Sequence, residues 1–89
     1  MYVAVFYRRG RREARSFSSF EAARGFMHDG AARQVLSPIA IWQADSNRLW
    51  LWSGYSRGAL DRSRALRDAK AALSLPAYHL FGAIEEFDD

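Results

Sequence analysis

The chain contains no cysteine, a single lysine, two prolines and two histidines in 89 residues. Without cysteine there is no disulfide framework, no thiolate to ligate zinc and no thiol nucleophile. The two histidines, His28 and His79, are isolated in sequence, so neither a metal nor any other cofactor is expected. No stretch approaches the ~18–20 consecutive apolar residues that a membrane-spanning helix needs. The opening MYVAVFYRRG sets its basic residues after the apolar ones, the reverse of a secretory leader, and a cytoplasmic location is expected.

Signatures of catalysis are scarce as well. No G-x-S-x-G elbow surrounds Ser37, Ser53 or Ser56. Residues 54–58 place two glycines ahead of a helix, but the Lys-Ser/Thr of a phosphate-binding P-loop is missing. Glu13, Glu21, Asp29, Asp45, Asp61 and Asp68 each have an ordinary role as cap, turn or surface residue, so a catalytic carboxylate pair is not expected. No catalytic residue is assigned, and the chain is not expected to be an enzyme.

What is abundant is aromatic and cationic. Six Phe, four Tyr and three Trp make 15% of the chain, and 49% of all residues are hydrophobic, which describes one folded domain rather than a disordered segment. A chain this short buries only about 60–65% of its unfolded surface. Self-association, as a homodimer, is therefore expected to add stability. Twelve arginines and Lys70 face ten acids for a net +3; four of those acids fall in residues 85–89, so residues 1–84 carry +7. The expected organisation is a single domain over residues 1–84 and an acidic, frayed tail over residues 85–89.

The predicted fold is α+β: a small antiparallel sheet with two helices in the order ββαββα, with an optional C-terminal strand. Residues 2–7 are an apolar run and Arg9-Gly10 suits a two-residue hairpin loop, which sets Ala14 opposite Val5 and Arg15 opposite Ala4. Ser18 to Glu21 matches a capping box; the helix that follows has Phe20, Ala23, Phe26 and Met27 on its buried stripe, His28 near its end and Gly30 as its stop. Residues 39–44 and 49–55 form a second hairpin. A four-residue loop would pair Ala44 with Leu49, and a bulged three-residue loop would pair Trp42 with Trp50. In Leu49-Trp50-Leu51-Trp52 every position is apolar, so both faces of that strand need cover. A second helix runs to about Leu73 with Ala59, Ala65, Leu66, Ala69, Ala72 and Leu73 inward and Arg64, Arg67 and Lys70 outward; Pro76 follows it. Residues 77–87 read as a strand, with a docked helix as the alternative.

Two functional expectations follow. Trp, Tyr and Arg dominate protein interfaces, so Trp42, Trp50, Trp52 and Tyr55 are candidate partner-binding residues of a small interaction protein. In size and composition such a chain resembles the accessory and inhibitor proteins of phages and mobile elements, without a shared motif. The alternative is nucleic-acid binding, through Arg8, Arg9, Arg11 and Arg12 at the hairpin tip and Arg64, Arg67 and Lys70 on the second helix.

Overall fold

The computed structural model describes residues 1–55 and 58–87, without the side chains of residues 59 and 60. The element order is β1 (Tyr2–Arg8), β2 (Arg11–Phe17), α1 (Phe20–Ala32), β3 (Ser37–Gln43), β4 (Arg48–Trp52), α2 (Ala59–Ala72) and β5 (Ala83–Phe87). The α+β class and the ββαββα order are as the sequence predicts, and the optional last strand is present. One five-stranded sheet runs β2-β1-β3-β4-β5.

The first hairpin has the predicted register, Val5 with Ala14 and Ala4 with Arg15. Arg9 and Gly10 both take positive φ, 54° and 76°, as the two central residues of a type I′ turn must to match the twist of the strands. Four strands are antiparallel, but β5 runs parallel to β4, which corrects the expected all-antiparallel sheet. The cause is α2, which carries the chain back along the sheet so that the next strand starts from the same end as β4.

Alternation along the strands divides the core in two. Ala4, Phe6 and Ile41 point to α1 and pack with Ala23, Met27 and Leu36. Val5, Ala40, Leu49 and Leu51 point the other way and pack with Ala65 and Ala69 of α2. Between Val5 and Phe6 the pairing with β3 slips by one residue. That bulge lets consecutive residues, Ile39 and Ala40, both enter the α2-side core. Each face of the sheet thus has its own helix, and the two-sided apolar strand is covered from both sides within one chain.

Several local expectations need correction. Ser19, not Ser18, caps α1, its Oγ accepting from the Ala22 amide at 3.1 Å. Glu21 then stands second in the helix, where it cannot close a capping box, and is exposed. Gly30 does not stop the helix; it is buried beneath Leu36, and a Cβ there would lie 2.5 Å from the Leu36 side chain. The left-handed position is Gln34 (φ 60°), and the Val35 amide donates back to Gly30 O, a Schellman ending. With α1 running to Ala32, His28 falls short of the last turn, which contains no basic residue. The second hairpin takes neither anticipated register: Gln43 pairs with Arg48 and Trp42 with Leu49 around residues 44–47, with Asn47 left-handed.

The strand expected over residues 77–87 is confined to its last five residues. Residues 77–82 form a loop, anchored where Asn47 Nδ2 donates to Leu80 O and the Gly82 amide donates to Asn47 O. Glu85, Glu86 and Phe87, expected to fray, belong to β5 because Trp50, Leu51 and Trp52 offer them an open edge; residues 88 and 89 lie outside the described residues.

Candidate functional site

The hairpin tip, the end of α1, the start of β3 and the end of β4 meet at one end of the sheet. Between them lies an open groove of about 510 Å³ whose walls include Tyr7, Arg9, Gln34, Val35, Trp52 and Tyr55. It brings together residues from both predicted sets: Trp52 and Tyr55 from the partner-binding group and Arg9 from the basic tip. Arg9 makes no ion pair among the described residues, and Val35 is 56% exposed although apolar. Both Arg9 and Gln34 occupy the left-handed region, where a residue with a Cβ costs roughly 1–2 kcal/mol and glycine does not.

One wall of the groove is fixed by a buried carboxylate that sequence reasoning assigned to the surface. Asp68 of α2 is only 3% exposed. Its Oδ2 accepts from Tyr55 Oη at 2.7 Å and its Oδ1 accepts from Arg12 Nη1 at 2.9 Å, with the Tyr7 hydroxyl nearby. Burial alone would raise the Asp68 pKa, but the interactions with Tyr55, Tyr7 and Arg12 outweigh it and hold the carboxyl below its ordinary value. Burial, and then the bond to Asp68, pushes both Tyr55 and Tyr7 above the usual phenol value. The cluster ties the first hairpin and the turn after β4 to α2. The signal that could have revealed Asp68 is its helical position, three after Ala65 and four before Ala72, on the flank of the apolar stripe.

The other candidates are dispersed. Trp42 lies on the α2 side, its Nε1 donating to Asn47 Oδ1 at 3.1 Å, with the His79 ring edge-on to it. His79 Nε2 donates to the same oxygen at 2.8 Å, since an amide oxygen can only accept. Trp50 is on the opposite face, stacked among Phe20 and Tyr2 with Arg48 over its ring. All three Trp are half-buried, with α1 on one side of the sheet and α2 on the other.

At the tip, Arg8 donates twice to Glu13 and Arg12 is engaged by Asp68. Arg9 and Arg11 remain without ion pairs among the described residues. On α2, Arg64 and Arg67 are exposed, while Lys70 Nζ donates to Ala77 O. The loop at residues 54–58, considered as a phosphate cradle, includes Ser56 and Arg57, which lie outside the described residues. Among the described residues no helix is long and apolar enough to cross a membrane. Comparison with protein families, with curated proteins and with solved structures finds no match to this chain.

Proposed function

We propose that the protein is a non-catalytic interaction protein whose groove takes a segment of a partner protein offering a carboxylate beside an apolar or aromatic side chain. The observation that supports this reading is the convergence of Tyr7, Trp52, Tyr55 and exposed Val35 around Arg9, a cation with no partner of its own among the described residues. Trp, Tyr and Arg in one concavity are the residue types that concentrate binding energy in protein interfaces. Such a protein acts stoichiometrically, as accessory and inhibitor proteins do.

The tip's arginines support nucleic-acid binding less well. Arg8 and Arg12 already neutralise Glu13 and Asp68, and a phosphate would have to compete with those carboxylates. The test is affinity purification from the native cells, with and without nuclease. The proposal expects a protein that is retained after nuclease treatment and lost when Arg9→Glu is used as bait. Recovery of nucleic acid instead, with binding that falls steeply as salt rises, would overturn it.

A further inference from the structure

We infer that the protein rests on an anionic lipid bilayer through the surface where α2 meets residues 75–82, with Tyr78 and Leu80 entering the headgroup layer and Arg67 and Lys70 meeting the lipid phosphates. The inference is independent of the groove. Leu80 is tied to Asn47, which stands just before β4, and the groove lies where β4 ends, so Tyr78 and Leu80 project at the other end of the sheet.

Tyr78 and Leu80 are each 84% exposed, and no other large apolar side chain among the described residues exceeds 58%. Their neighbours turn the other way. The His79 ring packs edge-on against Trp42 and Phe81, and Phe81 lies against the α2-side core, which leaves Tyr78 and Leu80 facing solvent. Beside them runs an open cleft of about 480 Å³ between α2 and the segment that follows it, with Leu66, Ala71, Leu75 and Ala77 in its walls together with Arg67 and Lys70. Arg67 has no ion pair among the described residues. Lys70 Nζ donates to the neutral Ala77 O at 2.9 Å, so its charge is uncompensated as well. Among the described residues no acid lines the cleft, and residues 75–82 contain none.

Water satisfies the peptide groups of an ordinary exposed loop, whereas a lipid phase leaves any unpaired group costly. In this loop the carbonyls on both sides of the exposed pair are engaged by the chain itself. Pro76 O accepts from the His79 amide, Ala77 O from Lys70 Nζ, and Leu80 O from Asn47 Nδ2 at 2.8 Å. The Gly82 amide donates to Asn47 O, and Pro76 has no N–H to satisfy. Two large apolar side chains thus project from a loop whose backbone depends little on water. A tyrosine, with an apolar ring and a polar hydroxyl, suits the depth of the headgroups. A second copy of the chain is the wrong occupant, because a symmetric contact would bring the Arg67 and Lys70 charges of both copies together. A folded protein would have to supply a pocket for each projecting side chain, while a bilayer yields around them. The uncompensated cations require that bilayer to be anionic.

The test is co-sedimentation of the protein with vesicles of phosphatidylcholine alone and of phosphatidylcholine mixed with phosphatidylserine. The protein is expected to bind the phosphatidylserine vesicles at least tenfold more tightly than the neutral ones, and added salt is expected to weaken that binding. Tyr78→Ser and Leu80→Ser combined in one chain are expected to weaken it tenfold or more, with the fold retained because both side chains are exposed. Arg67→Glu is expected to weaken it about tenfold through charge alone. Polyglutamate in solution, the stand-in for an acidic protein, is expected to bind more weakly than the anionic vesicles and to be indifferent to the double serine change. Absence of binding to either vesicle, equal binding to both, or full binding by the double serine variant would each overturn the inference. Polyglutamate bound as tightly as the vesicles, and lost with the same double change, would overturn it too and give the surface to an acidic protein.

Discussion

Replacing Asp68 tests the energetics of the groove wall. Its carboxylate is almost fully buried and accepts from Tyr55 and Arg12. A hydrogen bond to a charged acceptor is worth about 1.5–3 kcal/mol. The Arg12 pair contributes less, because its guanidinium is 44% exposed and solvent screens it. Asp68→Ala leaves the Tyr55 phenol without its acceptor in a buried site and is expected to cost about 3 kcal/mol, the upper end of that range. In a domain of this length that lowers Tm by roughly 12–24 °C. Asp68→Asn keeps one acceptor oxygen and is expected to cost about half as much. Its more telling effect is on pH dependence. The folded-state pKa of Asp68 lies below the ordinary 3.8, so below that value the unfolded chain takes up this proton before the native protein does. The stability from Asp68 is therefore full above about pH 4 and is lost as pH falls through the lowered native value. Urea unfolding from about pH 5 to about pH 2 reads this directly: the native protein should lose stability more steeply than Asp68→Asn. Parallel curves for the two proteins would refute the reasoning.

Three further substitutions probe the local structure. Ser19→Ala should cost about 1 kcal/mol by thermal unfolding and Ser18→Ala close to nothing, because only the Ser19 hydroxyl accepts from the helix. Gly30→Ala should destabilise by about 1–3 kcal/mol despite alanine's better helix propensity, since the new methyl group meets the Leu36 side chain; a more stable variant would show that Leu36 repacks freely. Asn47→Ala removes the acceptor shared by Trp42 and His79, the donor to Leu80 O and a residue suited to the left-handed region. It should speed amide exchange and proteolysis in residues 77–82 ahead of the rest of the chain.

What the sequence made legible was governed by short-range rules. Arg9-Gly10 leaves a two-residue loop little choice of geometry, so every pairing in the first hairpin was readable from that dipeptide. The second hairpin was not, because a four-residue loop admits neighbouring registers and only the packing of Leu49 and Leu51 against α2 selects one. Adjacent Ser18 and Ser19 both satisfy the cap pattern, and the choice between them depends on where the helix meets the sheet. Gly30 has the composition of a stop signal, yet it serves close packing against Leu36, a contact that sequence spacing does not reveal. Asp68 stood among Arg64, Arg67 and Lys70 and looked like a solvated residue; its burial depends on Tyr7 and Tyr55, which come from distant parts of the chain. The groove was hidden for the same reason: Arg9, Val35 and Trp52 become neighbours only when β1, β3 and β4 align.

The claim at the centre of this account is that the groove beside Arg9 is where a partner protein binds. Its most direct measurement is the affinity of the partner retained after nuclease treatment for three surface variants: Arg9→Glu, Val35→Glu and Arg67→Glu. The two groove positions are exposed, so their replacement leaves both halves of the core intact, and Arg67 is an exposed control on α2. The account predicts that Arg9→Glu and Val35→Glu each weaken binding by tenfold or more, about 1.4 kcal/mol, while Arg67→Glu changes it little. Equal losses in all three, or a loss confined to Arg67→Glu, would contradict it.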